Sequence, residues 1–193
     1  MKQGMTKIAA AAALLALAAC TTTPAPTATV SQQQQAVNLG IDATLGTLYA
    51  TVPGSQELAH RARGILVFPK TYAAGLVLGG EYGNGALRVD GRTAGYYATT
   101  GVSLGLQAGA ESRGLVFMFL TQAALDRFLA GDGWTAGVDA SVAVARSGSN
   151  GTVDLTNPSA EVAAFALTNS GLMAAVNLES TKVKKLDVPV ALQ

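Results

Sequence analysis

The chain has 193 residues, of which 49% are hydrophobic and 13% are charged, against roughly 25% charged in an average globular protein. Its 22 glycines lie well above the usual share of about 7%, and its formal net charge is only +1. This composition favours β structure over long solvated helices. It excludes the strongly basic character of most nucleic-acid-binding proteins, so we expect no nucleic-acid partner.

The N-terminus has the pattern of a secretory signal peptide, with a lysine-containing start, MKQGMTK, before the apolar run IAAAAALLALAA. That run is about 12 residues long, too short to cross about 30 Å of hydrocarbon as a helix. It ends at Cys20, and LAAC at 17–20 resembles a bacterial lipobox, in which the cysteine thiol takes a diacylglycerol before cleavage. We predict a lipoprotein signal peptide at 1–19 and an acyl anchor on Cys20. An ordinary signal cut near Ala19 is the alternative.

Lipidation of Cys20 would set both the chemistry and the location of the protein. Because Cys20 is the only cysteine, no thiol would remain for a disulfide, a metal or catalysis. The anchor predicts a bacterial cell envelope, and Thr21 after the cysteine favours the outer membrane, with the protein facing the periplasm. The Thr/Pro/Ala-rich segment 20–30 has nothing to bury and is predicted to be a tether. A single domain is predicted over 31–193.

Two helices are predicted at the start of this domain. Ser31 would cap the first helix, and Pro53-Gly54 would end it. Apolar residues at spacings of three and four put one face of this helix against a core: Val37, Ile41, Leu45 and Leu48. Ser55 would cap a second, short helix, QELAHRAR.

From Gly64 onward the pattern changes to short β-rich runs separated by glycines. Asp90-Gly91 is a strong hairpin signal between two of these runs. One further helix is predicted, QAALDRFLA, with Thr121 as its cap and Gly131 as its end. The runs are GILVFP, AAGLVLGG, ALRV, AGYYATTG, VSLGLQAG, GLVFMFLT, GWTAGVDASVAVA, AAFALT, GLMAAVNLES and KVKKL.

The glycine-rich stretch GLVLGGEYGNGALRV, residues 75–89, raises the question of a phosphate-binding loop. A P-loop needs lysine and then serine or threonine after its last glycine, whereas Gly79-Gly80 is followed by Glu81. A dinucleotide fingerprint must open a helix, and Gly83-Asn84-Gly85 leads into a predicted strand. The glycines therefore indicate bulges, corners or close backbone approach in a sheet.

Six blocks in this order resemble the SYLF-domain family: ARGILVFP (62–69), GGEYG (79–83), GYY (95–97), SLGLQAG (103–109), GWTAGVDAS (133–141) and GLMAAVNLESTK (171–182). The resemblance implies an α+β fold with a strongly curved, barrel-like, mainly antiparallel sheet and flanking helices. Eukaryotic members bind phosphoinositide-rich membranes, some with actin or SH3-linked partners. Bacterial members are mostly secreted proteins or lipoproteins. This chain has no SH3 domain, and its N-terminal segment is glutamine-rich rather than a basic amphipathic helix.

The titratable residues do not assemble a recognisable catalytic or metal site. His60 is the only histidine, which excludes a His-pair metal site, and no Gly-x-Ser-x-Gly elbow is present. We predict no catalytic residue, no metal ligand and no cofactor. The carboxylates in apolar surroundings are predicted to form structural pairs with Arg63, Arg88 or Arg113, a ligand role being the alternative. They are Glu81, Glu111, Asp139 and Glu179.

Two basic clusters are candidates for membrane contact, because each Lys or Arg near an anionic surface contributes on the order of 1 kcal/mol. The candidate lipid-binding residues are Arg61, Arg63, Lys70, Lys182, Lys184 and Lys185. Strand alternation would put Lys182 and Lys184 on one face and Lys185 on the other. Ordinary solvated surface charge is the alternative. Trp134 and Tyr96-Tyr97 are predicted to pack in the core.

The sequence thus predicts a non-enzymatic, lipid-anchored envelope protein whose domain binds phospholipids with anionic or phosphoinositide-like head groups. Its partner would be the phospholipid membrane, contacted through lipidated Cys20 and the domain surface. The alternative is a structural or protein-interaction module with an envelope protein as its partner and no lipid recognition. A third hypothesis, a hydrolase that uses Glu81 and Asp139, has the least support.

Overall fold

The computed structural model describes residues 29–75, 78–104, 109–148, 153–168, 171–173, 178 and 181–188. The predicted signal peptide, Cys20 and the tether up to residue 28 lie outside the described residues. Within the described ranges the chain has three helices and a ten-stranded, mostly antiparallel sheet. The α+β class is therefore confirmed.

The helices are α1 (Val30–Thr51), α2 (Ser55–Arg61) and α3 (Gln122–Ala130). The first six strands are β1 (Gly64–Gly75), β2 (Leu78–Val89), β3 (Arg92–Leu104), β4 (Gly109–Phe119), β5 (Gly133–Thr135) and β6 (Val142–Ser147). The remaining strands are β7 (Val153–Leu155), β8 (Val162–Thr168), β9 (Gly171–Leu172) and β10 (Lys182–Lys185).

Helix α1 begins two residues earlier than predicted, at Val30, and its cap is Thr29 rather than Ser31. The Thr29 hydroxyl accepts a hydrogen bond from the Gln32 amide, and the Gln32 side chain accepts one from the Thr29 amide. This reciprocal capping box satisfies two backbone donors at once, which a lone Ser31 would not do. The predicted apolar face is confirmed, because Ile41 and Leu48 are fully buried.

The two short helices differ in how well their ends were predicted. Helix α3 is capped by the Thr121 side chain and ends before Gly131, as predicted. Helix α2 begins at Ser55, but Ser55 is not its cap. The Ser55 hydroxyl donates instead to the carbonyl oxygens of Val52 and Leu48, and so closes the end of α1.

The strands form one sheet in the order β5-β10-β3-β2-β1-β4-β8-β6-β7, with β9 paired to β8. All pairs are antiparallel except β6 with β8. The predicted hairpin at Asp90-Gly91 joins β2 to β3, and both residues have positive φ, 49° and 76°. Two positive φ angles in sequence are typical of the type I′ turn, whose twist matches that of the flanking strands.

The sheet curls strongly around an aromatic core. The ring centroids of Trp134 on β5 and Phe117 on β4 are 5.7 Å apart, although four strands lie between theirs in the sheet order. In a flat sheet, five strand spacings would separate them by about 24 Å. The described hydrogen bonding ends at β5 and β7, so closure into a barrel is not confirmed.

Each face of the sheet has its own hydrophobic cluster. On the inner face, α3 packs over Phe117, Phe119 and Trp134. On the outer face, α1 and α2 pack over a second cluster that includes Val116 and Phe165. Trp134, Tyr96 and Tyr97 are all buried, which confirms their predicted core positions: Tyr97 and Trp134 lie in the inner cluster and Tyr96 in the outer.

The glycine-rich stretch is strand β2, and its glycines lie beside an irregularity in β1. The register between the two strands shifts between Val67 and Lys70, so that β1 has one extra residue there. A Cβ on Gly83 would lie 2.7 Å from the Thr71 side chain, and one on Gly85 would overlap the Val67 carbonyl oxygen. The glycines therefore allow close approach of the backbone at a bulge, as predicted.

Candidate functional site

The outer face continues beyond α1 as an open stretch of sheet. Tyr72 on β1 lies opposite Tyr82 on β2, Tyr82 opposite Thr100 on β3, and Thr100 opposite Lys182 on β10. These four residues form one row across four neighbouring strands. Tyr72 and Tyr82 are 58% and 51% exposed, an unusual state for two large aromatic side chains.

A second row runs beside the first on the same face. Lys70 lies opposite Asn84, Asn84 opposite Ala98, and Ala98 opposite Lys184. The Lys70 amine is 5.3 Å from the centroid of the Tyr72 ring, a cation–π arrangement. We call this surface the basic outer face, and it consists of Lys70, Tyr72, Tyr82, Asn84, Thr100, Lys182 and Lys184.

The bulge in β1 puts Lys70 on this face. Leu66 and Phe68 belong to the inner cluster, so strict alternation would also point residue 70 inward. The extra residue between Val67 and Lys70 reverses that parity. Lys70 therefore lies on the outer face, on the same side as Tyr72, Lys182 and Lys184.

The three lysines of this face are not neutralised by described acidic residues. The ion pairs among those residues join Asp42 to Arg88, Glu81 to Arg113 and Glu161 to Arg127. Lys70, Lys182 and Lys184 are exposed and take no part in these pairs. The face therefore presents three positive charges in two rows, with two aromatic rings between them.

The other three predicted lipid-binding residues are exposed but lie elsewhere. Arg61 ends α2 and Arg63 lies just before β1, about 23 Å from Lys70 at about 3.3 Å per residue. Helix α1 crosses the sheet between them, since a Cβ on Gly40 would lie 2.8 Å from Pro69. Lys185 pairs with Tyr97, an inner-cluster residue, so it lies on the side opposite Lys184.

Directly behind the tyrosines, the inner face carries a buried ion pair. Arg113 on β4 pairs through two nitrogens with the Glu81 carboxylate on β2, and the Thr71 hydroxyl donates to the same carboxylate at 2.6 Å. Only 11% of the Arg113 side chain and 6% of the Glu81 side chain are exposed. The predicted structural pairing of Glu81 with Arg113 is thus observed. Its consequence is mechanical, because it links β1, β2 and β4 where Tyr72 and Tyr82 project.

The remaining predicted polar residues do not join this cluster. Asp139 is exposed and accepts a hydrogen bond from the Thr135 amide at 2.6 Å, which closes a surface turn. Arg88 pairs with Asp42 of α1 rather than with a family-block carboxylate. His60 is exposed on α2, as expected. Glu179 lies outside the described residues.

The pKa values of Tyr97 and Glu161 depart from their ordinary values for clear physical reasons. Burial raises the pKa of the Tyr97 phenol, which packs against Phe128 in the inner core. The hydrogen bond from Arg127 lowers the pKa of Glu161. Neither group belongs to the basic outer face, so both bear on stability rather than on ligand binding.

Within the described ranges, no three His, Cys, Asp or Glu side chains come together as metal ligands would. None of the three helices described has the length and apolar character needed to cross a bilayer.

The tyrosines of this face were not among the residues singled out from the sequence. A signal existed, because Lys70-Thr71-Tyr72 and Tyr82-Gly83-Asn84 alternate polar or amphipathic residues with small ones. Such alternation indicates a strand with one solvated face. The pairing of β10 with β3 carries no local signal, so its contribution of Lys182 and Lys184 required the structure.

A protein-family model described as "Ysc84: Las17-binding protein actin regulator" matches residues 100–187. The match begins at Thr100 in the exposed row and runs past β10. It therefore includes the Arg113 partner of the buried ion pair and both outward lysines of β10. No curated protein matches the chain.

Proposed function

We propose that the chain, whose residues 100–187 match this family model, is a SYLF-domain protein that binds anionic phospholipid head groups through the basic outer face. In this proposal it is a non-enzymatic lipoprotein of the bacterial envelope. The acyl chains on Cys20 anchor it in the outer membrane. Its domain faces the periplasm and binds the lipid head groups at the membrane surface.

The observation that carries the proposal is the placement of two exposed tyrosines and three lysines, which form no ion pair with a described residue, on one sheet face. Each lysine near an anionic surface contributes on the order of 1 kcal/mol, so the three contribute about 3 kcal/mol together. That is weak, salt-sensitive binding. An acyl chain combined with a basic patch is the usual two-part arrangement for stable anchoring.

The tyrosines fit the same role. A tyrosine has an apolar ring and a polar hydroxyl, and such side chains are enriched at the level of the lipid head groups. Tyr82 donates a hydrogen bond to Asn84 at 2.7 Å, and Lys70 lies over the Tyr72 ring. Each ring is therefore in contact with a polar side chain two residues away on its own strand.

A second function is favoured by the family description, which names binding to a protein. In that case the basic outer face would contact an acidic envelope protein and would be indifferent to lipid. The two functions make opposite predictions for a system that contains only purified chain and vesicles.

The test is co-sedimentation of residues 21–193 with vesicles. This piece lacks Cys20, so it carries no anchor, and it keeps all the described structure, which lies between residues 29 and 188. We expect binding to anionic vesicles, none to zwitterionic ones, and loss of binding as salt shortens the Debye length from about 30 Å at 0.01 M to about 8 Å at 0.15 M. If the protein bound neither vesicle type at low salt, lipid recognition would be eliminated and the protein partner would be favoured.

A further inference from the structure

A polar cleft lies between α1 and the sheet, next to the basic outer face. Its volume is about 370 Å³, within the usual range for a small-molecule site. Thr44 and Thr47 of α1 line one wall, and Lys70 and Ser112 line the other. Ser112 lies opposite Tyr72 in the β-ladder, so the cleft opens beside the tyrosines.

The cleft exists because residue 114 has no side chain. A Cβ on Gly114 would lie 3.2 Å from Thr44 Cγ2 and 3.5 Å from the Pro69 carbonyl oxygen. The contact with Thr44 is tighter than an ordinary van der Waals distance, whereas the contact with Pro69 is an ordinary one. An alanine at position 114 would therefore narrow the space between helix and sheet.

The hydrogen-bonding groups of the two walls differ in kind. The hydroxyls of Thr44 and Thr47 donate to the carbonyl oxygens of Gly40 and Ala43, at 2.8 and 3.0 Å. With its proton engaged, each threonine oxygen offers only acceptor lone pairs to the cleft. Lys70 on the other wall offers only donors and a positive charge.

Acceptors on one wall of the cleft and a cationic donor on the other fit a ligand that has hydroxyl donors at one end and an anion at the other. No acidic side chain is among the described residues that line the cleft, so no carboxylate there would balance the charge of an ammonium group. Arg113 also borders it, but its guanidinium is paired with Glu81 on the inner face. The complementary group is therefore a phosphate ester of a small polyol.

We propose that this cleft binds a polyol phosphate such as glycerol phosphate, with the phosphate on Lys70 and the polyol hydroxyls donating to Thr44 and Thr47. The ligand could be a free polyol phosphate or the head group of phosphatidylglycerol. Only the lipid form of the inference rests on the proposed function, for which it would supply head-group selectivity.

The first experiment measures the affinity of residues 21–193 for glycerol phosphate by calorimetry. Thr44→Val keeps the shape of the side chain but removes an acceptor, and we expect binding about five- to tenfold weaker. Thr51→Val is the matched control, because Thr51 is also on α1 and donates to a carbonyl four residues back, at 2.7 Å, but does not line the cleft. Gly114→Ala should also weaken binding, with Gly46→Ala as its control, since a Cβ on Gly46 would meet nothing within 4 Å.

The second experiment separates the two sources of the ligand. Vesicles with phosphatidylglycerol are compared with phosphatidylserine vesicles of equal charge. The lipid form predicts a preference for phosphatidylglycerol that Thr44→Val removes while general attraction to anionic vesicles remains.

Each outcome bears on a different claim. Absence of glycerol phosphate binding together with equal affinity for both vesicles would overturn the cleft inference and leave the proposed function standing. Phosphoethanolamine bound as tightly as glycerol phosphate would overturn the polyol assignment. Thr44-dependent binding of glycerol phosphate by a chain that ignores all vesicles would support the soluble form and count against the proposed function.

Discussion

Arg113 of β4 pairs with Glu81 of β2 across the intervening strand β1, and both side chains are largely buried. Thr71 of β1 completes the cluster by donating to the same carboxylate. Since Thr71 and Glu81 immediately precede Tyr72 and Tyr82, the inner-face cluster fixes the register of the exposed tyrosine pair.

Breaking this pair from one side should be costly. Arg113→Met leaves the Glu81 carboxylate buried without its partner, and removing one member of a buried pair typically costs 3–5 kcal/mol, so we expect a loss of roughly that size in the free energy of unfolding. Urea unfolding of residues 21–193 measures it. Arg127→Met is the control, because the Arg127–Glu161 pair is 48% and 32% exposed and should contribute less than about 1 kcal/mol. Equal losses for the two variants would contradict a structural role for the buried pair.

The glycines of β2 should differ sharply in their tolerance of a side chain. Gly85→Ala would place a Cβ against the Val67 carbonyl oxygen and 2.6 Å from the Phe68 ring, and we expect a loss of about 1–3 kcal/mol or more. Gly80→Ala on the same strand meets nothing within 4 Å and should change stability by less than about 0.5 kcal/mol. Thermal or urea unfolding of the two variants measures both changes in stability. A tolerant Gly85→Ala would mean that the bulge in β1 is not held as described.

We expect the free energy of unfolding to fall at alkaline pH because of the ionisation of Tyr97. Burial raises the pKa of this phenol above its ordinary value of 10.0, so its neutral form is favoured in the folded state. Its contribution is therefore complete below about pH 10 and declines as pH rises towards the folded pKa, by at most about 1.4 kcal/mol per pH unit. Urea unfolding at about pH 8 and about pH 11 tests this. In Tyr97→Phe, the free energy of unfolding should decline less steeply with pH. If its slope against pH were unchanged, the decline would have to come from other titratable groups.

Local patterns predicted much of the secondary structure. The spacing of Ile41 and Leu48, the Thr121 cap and the Asp90-Gly91 turn each depend on residues close in sequence, and the structure has all three. The predicted caps Ser31 and Ser55 were wrong. At Ser31 a neighbouring hydroxyl, that of Thr29, caps the helix, and the Ser55 hydroxyl donates to the end of α1 instead of capping α2.

The candidate site was less predictable because long-range pairing creates it. Lys182 lies in the same row as Tyr82 only because β10 inserts between β5 and β3, a pairing that no local propensity determines. Lys70 faces outward only because of the bulge after Val67. Alternation alone therefore placed Lys182 and Lys184 together but could not join them to Lys70 or separate them from Arg61.

The most direct test of lipid recognition compares two triple variants of residues 21–193 on anionic vesicles at low salt. One reverses the charges of the basic outer face, Lys70→Glu, Lys182→Glu and Lys184→Glu. The other reverses the three exposed charges that lie elsewhere, Arg61→Glu, Arg63→Glu and Lys185→Glu, and so has the same net charge. We predict affinity at least about a hundredfold weaker for the first variant, and much less change for the second. Equal weakening in both would show that total charge, rather than this face, governs binding and would contradict the account.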